Sequence, residues 1–229
     1  LKVKRQALLN SAREINRRNI MAAVAAPYGL RAVNHLGGTP YAGSTRMYPI
    51  GTGTATNIYY GDVVNVLATG LLTQNVTDGN SAGGGGAAAA FVAGTVGIFV
   101  GCTYTDPGSN QVVFRQNWPT GTVTADAQAY VVDDPGAIFQ IQANGTVGQL
   151  GLGANTFFAA AQGAATGNLL SGNSTTAASA AAAVAVPALN SLKIVGFVDS
   201  PTSTVGDAFT DLLVKFNPAM HAYTSGVAI

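Results

Sequence analysis

The chain has 229 residues and a mass of 23.0 kDa, which is enough for one large β domain with its own core. Only 9% of the residues are charged, against about 25% in an ordinary soluble domain, and Glu14 is the single glutamate. Helix-rich cytosolic enzymes carry many Glu and Lys on exposed helix faces, so this composition argues against that class. A hydrophobic content of 48% with a net charge of +1 argues against intrinsic disorder.

The charge is unevenly distributed along the chain. Residues 1–20 hold six of the eleven basic residues and one acid, a net charge of +5, whereas residues 21–229 hold five basic and nine acidic residues, a net charge of −4. Leu1, Leu8 and Ile15 recur at a helical spacing, so we predict a helical, basic N-terminal arm over residues 1–22. The candidate contact residues of this arm are Lys4, Arg5, Arg13, Arg17 and Arg18.

The arm has two possible kinds of partner. Its basic groups suit phosphates, so direct contact with nucleic acid is expected only here. No aromatic residue is interleaved with the basic residues, which leaves base stacking without support. Docking of an amphipathic, basic helix on an acidic protein surface is therefore the favoured alternative.

Residues 23–229 are predicted to form a β-rich body, either a β-barrel or a β-sandwich. Short stretches rich in Val, Ile, Thr, Tyr and Phe alternate there with Gly, Pro, Asn and Asp, a pattern typical of strands and turns. The clearest hairpin joins 98–104 to 111–118 through the turn Thr105-Asp-Pro-Gly-Ser-Asn110. The predicted strands are 46–50, 57–66, 71–76, 91–92, 96–104, 111–118, 123–132, 137–142, 192–198 and 211–216.

Two low-complexity insertions interrupt the body. Residues 81–90 include the run GGGGAAAA, and residues 159–185 are mostly Ala, Gly, Ser, Thr and Asn. We expect extended, Ala/Gly-rich loops that lie flat against a partner, with a short Ala-rich helix near 175–186 as the alternative. Neither these tracts nor the rest of the chain offers a convincing membrane span, because glycines and a proline break the apolar runs.

Catalytic and metal-binding patterns are weak. His35 and His221 lie far apart in the sequence, and Ser81 in Gly79-Asn-Ser-Ala-Gly83 runs into further glycines instead of a helix. Asp133-Asp134 precedes Pro-Gly, which favours a turn over a pair of catalytic carboxylates. The lone Cys102 is expected to be a buried hydrophobe. We predict a protein that is not an enzyme, with no cofactor and no metal.

Large aromatic side chains are the candidate contact residues of the body. Tyr59, Tyr60 and Trp118 are selected as partner contacts, and Tyr104 and Phe114 are further side chains of this kind. Each of these five is also a candidate for the core.

Several segments resemble the head structural proteins of tailed bacteriophages, and above all their decoration, or cement, proteins. They are PYGLRAVNHLGGTPY (27–41), GDVV (61–64), VGIFVGCTYTD (96–106), AYVVDDP (129–135) and VGDAFTDLLVKFNP (205–218), and the resemblance spans most of residues 27–221. It implies a β-barrel or β-sandwich protein of the virion that binds the outer surface of the capsid and stabilises the head. The implied partners are the major capsid protein and further copies of the chain, as a homo-oligomer in a lattice. The basic arm departs from the pattern of this group.

Other functions stay open beside this one. A major shell or tail subunit is possible, although residues 21–229 lack the long helical period of a shell protein's spine helix. A secreted carbohydrate-binding β-sandwich would show an exposed aromatic platform. A hydrolase would use Ser81, Asp133, Asp134 or Asp207, with His221.

Overall fold

The computed structural model describes residues 24–75, 94–160, 162, 166–180 and 190–225. The predicted arm, the predicted strand 91–92 and the insertion at 81–90 lie outside these residues. The described part of the chain is mainly β, as the sequence predicts: 40% of these residues are in strands or isolated bridges and 4% are in helices. In the described ranges the helices are two 3-10 helices of three residues each, Gln149–Gly151 and Pro218–Met220.

The strands form two antiparallel sheets. The first sheet has the order β1-β8-β11-β10-β9, and the second has the order β2-β7-β5-β3-β4, with β6 also paired to β5. Neither order closes on itself, so the β-barrel alternative is wrong: a barrel requires the first and last strands to pair. In chain order the strands are β1 (Arg31–His35), β2 (Arg46–Pro49), β3 (Val63–Val66), β4 (Leu72–Gln74), β5 (Thr95–Thr105), β6 (Val112–Arg115), β7 (Gln128–Val132), β8 (Ala137–Gln142), β9 (Asn155–Thr156), β10 (Leu192–Phe197) and β11 (Asp211–Phe216).

The second sheet is buried on both faces along β5 and β7. Successive strand residues point to opposite faces, and Ile98 and Val132 belong to one hydrophobic cluster while their neighbours Phe99 and Val131 belong to another. The cluster of Ile98 includes side chains from both sheets, so we call it the intersheet core. The cluster of Phe99 is called the outer core. Further members of the intersheet core are Phe139, Ile141, Leu192, Ile194, Leu212 and Val214, and further members of the outer core are Ile58, Val64, Cys102, Tyr104 and Trp118.

The predicted hairpin of β5 and β6 is confirmed. Cys102 pairs with Arg115 and Thr105 with Val112. The turn is closed by the Asp106 carboxylate, whose Oδ2 accepts hydrogen bonds from the Ser109 backbone N–H (3.1 Å) and hydroxyl (2.8 Å). The left-handed position belongs to Asn110, at φ = 54°, and not to the glycine of Asp-Pro-Gly. Asn tolerates the left-handed conformation better than most residues, so Asn110 can adopt it in place of Gly108.

Strand boundaries from the sequence are right in some places and wrong in others. The strands predicted over 137–142 and 211–216 match β8 and β11. The strand predicted over 57–66 is shorter, because residues 57–62 form turns and isolated bridges with residues 118 and 173. The sequence pattern missed β1 and β9, each of which is an edge strand of the first sheet.

The described part of the insertion at 159–185 packs on the protein's own body. Ser174, Thr176 and Ala178 are almost fully buried. Ala178 forms bridges to Ala143 and Phe158, and none of residues 175–180 is helical, so the alternative of an Ala-rich helix from residue 175 onward is wrong there. Small side chains allow this close approach of backbones. The buried residues of this segment contact the protein's own body, so the prediction that they lie against a partner is wrong for them.

Candidate interaction surface

One face of the second sheet continues beyond the intersheet core as an exposed apolar strip. Residues paired directly across neighbouring strands lie on the same face. Phe114 pairs with Thr103, and both Gly101 and Met47 pair with Tyr130, so these side chains share the face of β7 that carries Val132. Val112, two residues before Phe114, belongs to the same face. We call Val112, Phe114, Tyr130 and Met47 the apolar strip.

The strip is open to solvent. The exposed fractions are 76% for Val112, 65% for Phe114 and 58% for Met47, and Tyr130 is half-buried. It crosses β6, β5, β7 and β2 in that order. Contiguous exposed apolar side chains of this kind are typical of a contact surface, whereas single exposed ones are common on any protein.

Gly101 determines how the strip is built. A β-carbon at this position would lie 2.8 Å from Cζ of Phe114, so the ring occupies the space that a side chain would fill. The strand has an irregular register between Phe99 and Gly101, where Val100 is the extra residue. The Phe114 ring lies 5.8 Å from that of Tyr130, at 48° between the planes. The bulge therefore brings an aromatic pair together across β5.

Two exposed carboxylates border the Val112 end of the strip. The Asp126 carboxylate accepts hydrogen bonds from the Thr105 backbone N–H at 3.1 Å and from the Thr105 hydroxyl at 2.5 Å, and Thr105 is paired with Val112. Asp106 follows Thr105 directly. None of the residues that the strand pairings place on the strip's face is basic. The strip is therefore apolar with a negatively charged end.

Hydrogen bonds keep both carboxylates ionised. Hydroxyl donors on Thr105 and Thr124, with the Thr105 N–H, lower the pKa of Asp126 to about 2. The Ser109 hydroxyl, with backbone N–H groups of the turn, lowers the pKa of Asp106. Bonds to the charged form of a carboxylate favour ionisation. The negative charge at this end is thus present at any ordinary pH.

Of the residues predicted to contact a partner, the structure describes only those of the body. Lys4, Arg5, Arg13, Arg17 and Arg18 lie outside the described residues and stay predictions. Tyr60 is half-buried, and its backbone bonds to Gly172 and Ser174.

Tyr59 and Trp118 do not offer a contact surface. Their exposed fractions are 1% and 0%, and the Trp118 ring packs edge-on against Tyr104 at 5.2 Å. Their selection as partner contacts is therefore corrected: both fill the protein's own interior. Of the five large aromatic side chains considered, only Phe114 is mainly exposed. Phe114 lies two residues after Val112, so both side chains are on the same face of β6; this spacing is the sequence signal that could have identified Phe114.

The structure brings the two histidines, 186 positions apart, to the same short turn. His35 Nδ1 lies 3.0 Å from Asp134 Oδ2, and the charges of Asp133 and Asp134 act on His221. The Asp133 Oδ2 atom lies 3.0 Å from Arg46 Nε and accepts a 2.8 Å bond from the Tyr48 hydroxyl. Sequence spacing gave no sign of this assembly.

This corner is arranged as a structural turn. The backbone N–H of Gly136 donates to Asp134 Oδ1 at 2.6 Å, which confirms the predicted turn of the Asx type. His221 is 1% exposed, and burial lowers its pKa below the ordinary value. Asp207 is bonded within its own turn, to the Thr204 N–H (2.7 Å) and hydroxyl (2.9 Å). Ser81 lies outside the described residues.

Neither Cys102 nor the possible metal ligands among the described residues form a reactive site. Cys102 is buried, as predicted, and burial raises the pKa of its thiol to about 12. Within the described ranges, no three His, Cys, Asp or Glu side chains are grouped as metal ligands would be.

Comparison with models of protein families, with curated proteins and with solved structures finds no match for this chain. Within the part of the chain that the structure describes, none of the helices has the length and apolar character needed to cross a membrane.

Proposed function

We propose that this protein is a structural component of a tailed-bacteriophage virion. In this proposal it binds the outer surface of the capsid as a decoration, or cement, protein and stabilises the head. Its partners are the major capsid protein and other copies of the chain. The sequence segments that resemble decoration proteins support the proposal, and so does the sparse charge of residues 21–229.

The observation that carries the proposal is the exposed apolar strip. Interfaces between subunits that stay together are depleted in charge and more apolar than ordinary surface. Val112, Phe114 and Met47 are each more than half exposed, and the strand pairings of the described residues place no basic residue on their face. A monomer that functions alone in water gains nothing from such a face, because it favours association.

A repeated lattice makes a modest surface sufficient. Each copy contributes a limited apolar contact, and many copies held on one shell act together through avidity. Two sheets that share a core provide a stiff body for this purpose. The charge of the arm adds a second, electrostatic contact that can reach beyond the body.

The proposal is tested by adding the purified chain to heads prepared without it. We expect binding that saturates at a fixed number of copies per capsid subunit and raises the temperature at which the heads release DNA. The variant Phe114→Ser should bind less, whereas Leu170→Ser, which changes a 99% exposed leucine outside the strip, should bind as the parent does. Failure of the parent chain to bind these heads would rule out the cement role.

A carbohydrate-binding protein is the second candidate, because the exposed Phe114 ring and the half-buried Tyr130 ring form an aromatic pair. Sugar platforms stack on flat aromatic faces, and here the two rings are inclined at 48°. A glycan array separates the candidates: glycan binding that is lost in Phe114→Ser would favour this function over the cement role. A shell subunit ranks below both, because the helices described in the ranges given above are only three residues long.

A further inference from the structure

We infer that the apolar strip of one copy is the binding site for the basic arm, residues 1–20, of a second copy. The inference rests on the proposed lattice role and deepens it, because it names the contact by which copies join. The occupant is a segment of this same chain, and the contact would be repeated from copy to copy around the shell.

The apolar strip and the arm are chemically complementary. The strip offers exposed Val112, Phe114 and Met47 with ionised Asp106 and Asp126 at one end. The arm offers apolar residues on one side of its predicted helix and six basic residues around the rest. An amphipathic helix binds an apolar groove or face through such anchors, and opposite charges at the edge fix its direction.

The apolar strip and the arm also match in length. The strip crosses four strands, which is about 14 Å at the usual spacing of neighbouring strands. Leu1, Leu8 and Ile15 follow one another every seven residues, or about 10 Å along a helix. Leu1 and Ile15 are therefore about 21 Å apart along the predicted helix, so the three apolar positions together are long enough to cross the strip from β6 to β2.

The arm joins the body at an exposed segment that begins with Val24. Val24, Ala25 and Ala26 are exposed, and Val24 is 75% exposed. Gln142 holds this segment at the end of β8, because its amide accepts from the Ala26 N–H (2.8 Å) and donates to the Val24 carbonyl (3.1 Å). The junction thus lies on the first sheet, whereas the strip lies on the second. This separation favours a neighbour's strip as the site.

Photo-crosslinking of the full chain tests the contact directly. Benzoylphenylalanine replaces Phe114, and a mixture of isotopically light and heavy chains is irradiated and analysed by mass spectrometry. We expect crosslinks from position 114 to peptides of residues 1–20, with light–heavy pairs as frequent as random mixing allows. The same probe at position 170 should give no enrichment for the arm. Crosslinks to the arm of the same chain only, or to the body of another copy only, would overturn the inference.

A charge exchange tests the electrostatic part. Asp106→Lys with Asp126→Lys should weaken self-association about tenfold at low salt, and Arg13→Glu with Arg17→Glu in the arm should restore it. Asp106→Asn with Asp126→Asn removes both charges, keeps one of the two oxygen acceptors of each side chain, and should give an intermediate loss. Recovery of self-association when the arm variant is added to the lysine variant excludes misfolding as the cause of the loss. The control Asp199→Lys changes an exposed acid of another loop and should have no effect. Equal self-association of all these variants would contradict the inference.

These measurements use the purified chain without capsids. A chain that binds heads but shows no contact between arm and strip would refute this inference alone. A chain that forms the contact but never binds heads would refute the proposed function and leave the contact standing.

Discussion

The backbone of Gly97 passes the carbonyl group of Val132 so closely that a β-carbon on residue 97 would lie 1.9 Å from the carbonyl oxygen. Gly97 has φ = 155° and stands beside Val96, the extra residue where the pairing of β3 with β5 shifts. The same short stretch of β5 places Val96 and Phe99 in the outer core and Ile98 in the intersheet core. The absence of a side chain at 97 is therefore a requirement of the fold.

We predict that Gly97→Ala destabilises the protein by about 2–4 kcal/mol, because the clash is with backbone that both cores hold in place. The control is Gly148→Ala, at a position with open space and an ordinary φ of −84°, where little change is expected. Urea denaturation of both variants measures the difference. Equal stability of the two would show that β5 can shift to accommodate a side chain.

Asp62 is a buried carboxyl group whose burial raises its pKa to about 6. Its Oδ2 accepts hydrogen bonds from the Tyr59 N–H (2.9 Å) and from the Gln74 amide (2.7 Å). No ion pair among the described residues includes it. A carboxyl pKa that is higher in the folded state than in the unfolded state makes folding most favourable at low pH.

We predict that the contribution of Asp62 to stability is complete below about pH 4 and is lost as the pH rises through 6. The variant Asp62→Asn keeps an oxygen acceptor and has no charge. It should match the parent at pH 4 and exceed it by up to about 3 kcal/mol at pH 8. Free energies of unfolding at both pH values measure the effect. If the difference in the free energy of unfolding between Asp62→Asn and the parent does not grow with pH, burial of the Asp62 charge is not its cause.

His221 contributes a pH dependence of the opposite sign. Its pKa is lowered by burial, so the unfolded state binds a proton more readily than the folded state does. The part of the parent chain's stability that depends on His221 should therefore fall as the pH drops through about 6.5, against the rise that Asp62 contributes. In His221→Asn, whose side-chain oxygen can still accept from the Tyr223 N–H, this loss should be absent. Thermal melts between pH 7.5 and 5 compare the two chains, and parallel curves would refute the prediction.

Trp118 is the single tryptophan of the chain, which makes it a spectroscopic reporter of the outer core. Because its exposed fraction is 0%, we predict emission at shorter wavelength than free tryptophan and little quenching by acrylamide. Binding of heads or of further copies at the apolar strip should leave this emission unchanged. A shift of the emission on binding would place Trp118 in a contact after all.

The sequence predicted the parts of this fold that depend on local chemistry. Alternating strands such as β8 and β11, and the Asp-Pro-Gly hairpin, follow from residue type and turn preference. It could not predict β9, which is two residues long and exists only because β10 offers it a partner. The burial of Ser174, Thr176 and Ala178 could not be predicted either, because a tract of small residues has the composition of a loop and is buried only through contacts with distant segments.

The candidate surface shows the same limit. Sequence alone identified Trp118 and Phe114 as large aromatic side chains but could not tell which faces water. The difference arises from tertiary pairing: Phe114 lies over Gly101 on an uncovered face, whereas Trp118 forms a bridge with Ile58. The convergence of His35 and His221 on Asp133-Asp134 equally depends on contacts between distant segments.

The most direct test of the central claim is the copy number of this chain in purified virions, measured by quantitative mass spectrometry against the major capsid protein. We predict many copies per particle, in a constant ratio to the capsid subunit and recovered with the isolated heads. Virions that contain none of the chain, or only traces that vary between preparations, would contradict it.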